Sequence, residues 1–431
     1  MRPVSFREAA AVWWRVALLS FGGPAGQIAV MHRILVEEKR WVDEQRFLHA
    51  LNFCMVLPGP EAQQLATYLG WYLHGIRGGL VAGTLFILPG FISILALSLL
   101  YAGMREIPAV AALLFGLKAA VLALVAMAVW RLAQRALATP LLRIIALVAL
   151  LAIGWLKLPF PLVLLLAAVI GLFAARFEST LLGHGWQPAS QATVAASGHR
   201  HLLRIVPPAL LLWGAPVLCC MVWLGPDHVL VTLGLFFSEV AVVTFGGAYA
   251  VLAYITQQAV AVQGWMQPGE MLDGLGLAES TPGPLIQVVQ FVGFMAAFRE
   301  AAPFSPWTAG VLGALMTTWV IFVPCFLFIF AGAPYVERLR SNLLLAGALR
   351  CITAAVLGVM AHLAFWFATH VLFAETRRLA GLTVPVLGSV QWLPLGLGVL
   401  ALWLLGRRGW GILPVLALTT LGGGVAWWLL Y

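Results

Sequence analysis

Charge is what this 431-residue chain has least of. Asp, Glu, Lys and Arg make up 10% of it, against 62% hydrophobic residues and a mean hydropathy of +0.98. An average soluble domain is about 25% charged and under half apolar, so a water-soluble globule is excluded. Cysteine is also sparse. The five residues Cys54, Cys219, Cys220, Cys325 and Cys351 lie in apolar segments, without metal-ligand spacing or a disulfide framework, and read as small buried hydrophobes. Despite a net charge of +9, no basic run is interleaved with aromatics, which excludes nucleic-acid binding; the basic residues sit at the ends of apolar segments, as cytoplasmic anchors do. Arg7 and Arg15 bracket a polar start with no small-residue cleavage site, so the first apolar segments are expected to direct insertion. Nucleophile elbow, P-loop and His/Glu metal pair are all missing, as are the clustered acids of a membrane hydrolase or lipid-phosphate transferase. The expectation is a protein that is not an enzyme and holds no cofactor or metal.

What the chain does have is a series of apolar stretches of about 20 residues, each long enough to cross a hydrocarbon core about 30 Å thick. Lipid must be the solvent for much of its surface. Two of the broken stretches repeat. Ser20-Phe21-Gly22-Gly23, Trp41 and Pro58-Gly59-Pro60 return as Thr244-Phe245-Gly246-Gly247, Trp265 and Pro282-Gly283-Pro284 at a constant offset of 224 residues. Later elements align at an offset of 235, which pairs Pro89 with Pro324 and Lys118 with Thr353; the eleven added residues fall around Ala301–Trp307. Duplicated, interrupted membrane segments are the sequence signature of a transporter and point to its binding site.

Each half repeats one order of elements. A segment broken by Phe-Gly-Gly (9–36; 229–262) precedes one broken by Pro-Gly-Pro (46–75; 271–298), two longer helices (78–102 and 108–137; 306–332 and 341–373) and an apolar hairpin (141–156 with 159–175; 386–405 with 409–430). The expected organisation is a first repeat over 1–175, a polar linker over 176–204, an extra membrane segment over 205–225 and a second repeat over 226–431. The run His199-Arg200-His201 is expected in the hydrated linker. One extra crossing inverts the second repeat. Placing Arg131, Arg135, Arg143, Arg176, Arg200 and Arg204 inside, and the Lys- and Arg-free loop around Gln257–Gln267 outside, agrees with that inversion. Re-entrant hairpins would keep Arg33, Lys39, Arg40 and Arg46 inside, although Glu37, Glu38, Asp43 and Glu44 blur that argument. The fold class read from these patterns is an all-α polytopic membrane protein. Its two inverted-topology repeats would have broken or re-entrant helices meeting near the bilayer midplane.

In Gly22-Gly23-Pro24 and Gly59-Pro60 the glycines permit a sharp reversal and the proline starts a fresh helix. The N-terminus of such a helix presents unpaired N–H groups and about half a positive charge, which suits an anion. Four such ends, flanked by Ser20, Gln27, Gln63, Gln64, Thr244, Ser280, Thr281 and Gln287, offer hydroxyls and amides to a compact oxyanion. Intramembrane charges are functional candidates by default. Lys118 would balance a dianion, while Glu61, Glu239 and Glu279 are the proton-coupling candidates; an internal ion pair is the alternative for Lys118, and snorkelling the alternative for Arg15.

At these residues the chain resembles the chromate ion transporter family in its long two-domain bacterial form. The resemblance covers almost the whole chain. It rests on Ser20–Gln27, Trp41–Phe47, Leu57–Gln64, Thr244–Gly247 and Glu279–Pro284. It implies a bacterial inner-membrane protein that exports chromate and confers resistance to it, driven by the membrane potential or proton gradient. A sulfate-related role is within the family's reach, since both ions are tetrahedral dianions. The positions carried over are the Phe-Gly-Gly and Pro-Gly-Pro motifs (Phe21, Gly22, Gly23, Pro24; Pro58, Gly59, Pro60; Gly246, Gly247; Pro282, Gly283, Pro284) and Lys118. The second half departs from the pattern with Ala248 and Val251 where the first has Pro24 and Gln27. A sulfate or other oxyanion carrier and a passive anion channel are the competing readings. The N-terminus is expected in the cytoplasm, the bilayer and chromate are the expected partners, and a homodimer is left open.

Overall fold

Apolar runs that would expose backbone to lipid as loops form helices instead, because only intrahelical bonds satisfy N–H and C=O groups there. The computed structural model describes residues 4–105, 107–177, 199–245, 248–335, 343–379 and 382–430. In the first half the helices are α1 (Phe6–Leu19), α2 (Gly23–His32), α3 (Glu44–Cys54), α4 (Glu61–Met104), α5 (Pro108–Ala136), α6 (Pro140–Gly154) and α7 (Phe160–Phe177). Then come α8 (His199–Leu224), α9 (Val229–Val243), α10 (Ala248–Thr256), α11 (Pro268–Ser280), α12 (Val288–Arg299), α13 (Pro306–Gly332) and α14 (Leu343–Leu372). A strand pair, β1 (Thr376–Leu379) and β2 (Leu382–Pro385), precedes α15 (Trp392–Gly406) and α16 (Ile412–Leu430). Six of the described helices are long and apolar enough to cross a membrane. The protein is an all-α polytopic membrane protein, as its composition requires.

The expected segments match these helices closely, with two differences. The strand pair is antiparallel, with Thr376 opposite Pro385, in a stretch given no element from the sequence. Helix α8 begins at His199 rather than at the apolar run, so His199, Arg200 and His201 form its first turn instead of a loop, and His201 Nε2 lies 3.0 Å from the Phe330 carbonyl oxygen. The long α4 is two helices, in agreement with the expected boundary between 46–75 and 78–102, because His74 (φ −140°, ψ 26°) and Gly75 (φ 61°, ψ −155°) leave helical geometry; the latter backbone favours glycine. The rest of the expected linker, 178–198, lies outside the described residues, as do Gly246 and Gly247.

The compact units of the chain are not its sequence halves. One unit gathers Met1–Leu99, Pro188–Val251 and Thr281–Asn342; the other gathers Leu100–Gln187, Leu252–Ser280 and Leu343–Tyr431. In the first unit, α1, α2, α3 and α4 bury Trp13, Met31, Phe47 and Phe86 with Phe330 of α13 in one apolar core. Helix α8 lies on α9 and α13, joined by indole bonds from Trp213 Nε1 to the Val320 carbonyl (3.0 Å) and from Trp319 Nε1 to the Leu212 carbonyl (2.9 Å). In the second unit the hairpins are exchanged between halves: α6 and α7 pack on α14, while α15 and α16 pack on α5.

Helices in lipid gain little from the hydrophobic effect and pack through small residues instead. The two parts of α4 approach where a Cβ on Gly70 would sit 2.5 Å from the Gly78 carbonyl oxygen. Helices α12 and α13 do the same, with a Cβ on Gly293 falling 2.7 Å from the Gly313 carbonyl oxygen. Gly78 and Gly313 are 235 residues apart, so one packing device serves both halves. Gly78→Ala and Gly313→Ala are each expected to cost about 1–3 kcal/mol, the usual range for overpacking. Gly406→Ala, which meets nothing within 4 Å, should cost nothing measurable. Thermal unfolding in detergent checks this, and equal stability of the Gly313 and Gly406 variants would refute the close approach.

Candidate functional site

Among the described residues, three of the breaks are built by glycine in a conformation that L side chains avoid. Helix α1 ends at Leu19, Gly22 (φ 85°) caps the next helix in the left-handed region, and α2 begins at Gly23 with Pro24 in its first turn. After α3, Gly59 takes φ 119° and α4 starts at Glu61 behind Pro60. In the second half Gly283 takes φ 108°, almost the value of its counterpart Gly59. Pro284 then caps a single 3-10 turn, Leu285–Gln287, before α12, so this helix starts more tightly than α4 does.

Within the first unit the four breaks are tied crosswise. Gly59 N–H donates to the Thr244 carbonyl at 2.8 Å, and Gly283 N–H donates to the Ser20 carbonyl at 2.9 Å. Under the 224-residue offset these are one bond made twice, from the Pro-Gly-Pro of one half to the Phe-Gly-Gly break of the other. Both glycines lack room for a side chain. A Cβ on Gly59 would lie 2.8 Å from Gln64 Nε2 and 3.0 Å from Cys325 Sγ; on Gly283 it would lie 3.0 Å from Gln287 Oε1 and 3.2 Å from Gly90 Cα. Gly90 and Cys325 are themselves equivalent, each following the proline (Pro89, Pro324) inside its long helix.

The side chains around this crossing are buried and polar. Ser20, Gln27, Gln63, Gln64, Thr244, Thr281, Gln287 and Gln290 are all buried, whereas Phe21, Gly22, Pro24, Pro58 and Pro282 are half-buried; Gly23 and Pro284 are buried. The Ser20 hydroxyl donates to the Val16 carbonyl at 2.7 Å, and the Thr244 hydroxyl donates to the Val240 carbonyl. Both therefore spend their proton on their own helix, unlike the donors to an oxyanion expected from sequence. Gln27 Nε2 donates to the Gly283 carbonyl and Gln63 Nε2 to Thr67 Oγ1. Gln64 Nε2 donates to the Pro58 carbonyl (2.6 Å), Gln287 Nε2 to Ile87 (3.2 Å) and Gln290 Nε2 to Phe91 (2.8 Å), the last two carbonyls flanking Pro89. A backbone carbonyl only accepts, so these three amides must turn their oxygens the other way. Among the described residues the Oε1 atoms of Gln63, Gln64, Gln287 and Gln290 receive no hydrogen bond. A buried acceptor in that state costs about 1–3 kcal/mol, so such oxygens mark places that meet water or a ligand.

The three carboxylates proposed for protons fare differently. Glu61 is half-buried in the first turn of α4, Glu239 is exposed on α9, and Glu279 is buried near the end of α11. Arg15, at the protein surface, pairs with Glu38 at 2.9 Å, a contact worth under about 1 kcal/mol at such exposure.

In the second unit Lys118 has an acid beside it. Its Nζ lies 3.4 Å from Asp273 Oδ1, with 28% of the lysine side chain exposed and 5% of the aspartate. Tyr101 Oη donates to Asp273 Oδ2 at 3.0 Å, and Arg105 pairs with Glu270 one turn away on α11. The alternative of an internal ion pair thus holds for Lys118. Asp273 and Glu270 were not singled out from sequence, because at the 224 offset they fall on His49 and Arg46 and so had no acidic counterpart. Their spacing of three residues in an otherwise apolar helix was the available signal. Tyr249, whose hydroxyl would meet a Cβ on Gly23 at 3.6 Å, was also missed; it falls on Ala25 of the first half.

Comparison with known proteins agrees with these motifs. The chain is 32% identical over its full length to the "Chromate transport protein" of Pseudomonas aeruginosa, covering 93% of that protein. It is 27% identical to the "Probable chromate transport protein" of Synechococcus elongatus and 26% identical to the "Chromate transport protein" of Cupriavidus metallidurans. Those two matches cover 83% of this chain and 83% and 81% of the relatives. No solved structure matches it. Residues 7–172 and 231–428 match the Chromate transporter family profile, and the chain belongs to that family.

Proposed function

We propose that the protein is a carrier that moves chromate out of the cytoplasm and so confers resistance to it. The membrane potential or the proton gradient would drive it, from an N-in, multi-pass position in a bacterial inner membrane. The observation that carries this reading is the crosswise pair of bonds, Gly59 to Thr244 and Gly283 to Ser20, which gathers the broken-helix starts of both halves in one unit. Non-helical backbone at membrane depth is tolerated where it is buried in protein or lines a watery cavity. Helix starts held in that way present N–H groups and partial positive charge to a compact dianion. The substrate contacts on this reading are the Phe-Gly-Gly and Pro-Gly-Pro breaks with Gln27, Gln63 and Gln287 in the first unit; Lys118, in the second unit, is by itself a candidate anion ligand.

The orphan amide oxygens refine the chemistry. Acceptors repel a bare oxyanion but welcome one that carries its own hydrogen, through bound water or a proton. A hydrated or protonated tetrahedral oxyanion is therefore the form these walls suit. The two halves would be inverted repeats, 1–175 and 226–431, a relation supported by the single extra helix α8 between them and by the equivalence of their cross-bonds.

Gly59→Ala and Gly283→Ala should each abolish chromate resistance while the protein still inserts, since either Cβ meets neighbours at 2.8–3.2 Å on a backbone that favours glycine. Resistance plates with membrane immunoblots check this, and full resistance in both variants would remove the breaks from the mechanism. Cells expressing the protein should hold less radiolabelled chromate at steady state than cells without it. Higher accumulation would refute export.

A further inference from the structure

A lysine in an apolar helix needs a counter-charge, and the form of the Lys118 counter-charge is informative. At 3.4 Å the ammonium lies beyond the 2.7–2.9 Å of a charge-assisted hydrogen bond. Among the described residues Asp273 Oδ1 has no close hydrogen-bond donor, while Oδ2 is held by the Tyr101 hydroxyl. One oxygen of the carboxylate is therefore anchored by a close hydrogen bond, and the other faces the ammonium of its salt-bridge partner at a longer distance. The lysine is the reachable partner and the aspartate the enclosed one.

We infer that Asp273 is a proton-linked counter-charge for Lys118: a proton taken on Oδ1 frees the Lys118 ammonium to hold a small oxyanion, so proton and anion bind together. The balance is simple. The carboxylate and H⁺ become a carboxylic acid, Tyr101 keeps its bond to Oδ2, and the lysine stays protonated throughout. Before the step the pair is neutral; after it the pair carries one positive charge, which an anion then meets. The surroundings allow this, because the other acid on that face of α11, Glu270, is already matched by Arg105. Charges bearing on Asp273 come from Lys118 and Arg105. Helix α14, which also packs on α11, carries Arg350, Cys351, His362 and His370, and α16 carries no titratable group.

The inference rests on the reading of Lys118 as an anion ligand, and it has a measurable sign. Protonation of Asp273 and binding of the anion favour one another, so affinity weakens as pH rises, by up to about tenfold per unit where the aspartate is charged. Sulfate is the probe of choice, since it stays a dianion across the neutral range where chromate itself takes up a proton. Calorimetric titration of the purified full chain in detergent, in buffers of different ionisation heat, should find protons taken up as sulfate binds. Asp273→Asn should bind sulfate without proton uptake and with an affinity flat in pH, and Lys118→Met should lose binding at every pH. Binding to the wild type without proton uptake overturns the inference, and does so even where the asparagine variant fails to fold. A wild-type pH profile in Asp273→Asn overturns it too, leaving Lys118 as a ligand. Undiminished binding in Lys118→Met removes Lys118 from the site, and the inference with it.

Discussion

A helix that stops inside a membrane leaves backbone donors and acceptors with no water to receive them, and each such group costs several kcal/mol in hydrocarbon. This chain stops helices repeatedly, and the cross-bonds are how it meets that cost. Gly59 gives its N–H to the carbonyl of Thr244, and Gly283 gives its N–H to that of Ser20. Much else in the first unit follows. The donor residue must be glycine, because the carbonyl is reached at φ near +110° and because the neighbouring long helix passes within van der Waals contact. The neighbour must be small there, hence Gly90 after Pro89 and Cys325 after Pro324. The bond joins one half to the other, so neither half can complete its own breaks alone. That dependence explains why the two motifs keep an unchanging spacing while the loop after α12 has grown by eleven residues.

Periodic and repeated features were legible in the sequence; pairings between halves were not. The helix boundaries, the positions of all four breaks and the extra segment that became α8 follow from apolar run length and Gly-Pro punctuation, which are local. Even the widened turns at Arg33–Glu38 and Gln257–Val262 obey the same offset. The assignment of hydroxyls was wrong in detail because Ser20 and Thr244 close a helix end, where bonding back to the carbonyl four residues earlier competes with any other acceptor. That competition is decided by backbone geometry that a sequence does not display. Asp273 was hidden by the repeat itself, since looking for equivalent residues favours what the halves share. The β1–β2 pair was passed over for a simpler reason: two strands of four residues each have too little hydrophobic pattern to register.

Electrostatics in the second unit obeys the same economy as the backbone in the first. An unpaired buried charge is far more expensive than a paired one, and removing one partner of such a pair typically costs 3–5 kcal/mol. Lys118 is kept affordable by Asp273, and Arg105 by Glu270. A dianion alone would draw about 4.6 kcal/mol per 100 mV from an inside-negative potential on leaving the cell, from about 2.3 per charge. With one proton it would carry a single net negative charge and keep half of that drive. Proton-linked binding would thus be compatible with the proposed outward movement, the proton then setting affinity and the potential setting direction.

Symmetry in this protein is a property of the frame and not of its chemistry. Gly59 and Gly283, their φ angles, their cross-bonds and the small residues opposite them are matched between halves. Several charged groups are not: Lys118 stands opposite Thr353, Asp273 opposite His49 and Glu61 opposite Leu285. Gly283 is held twice, by its own N–H and by Gln27 on its carbonyl, whereas the residue equivalent to Gln27 is Val251, which can donate nothing from its side chain. A duplicated frame with unmatched charges makes two backbone cradles, whereas the Lys118–Asp273 pair has no counterpart under the repeat. A carrier needs that arrangement, since two equal charge sites would hold two dianions against one another.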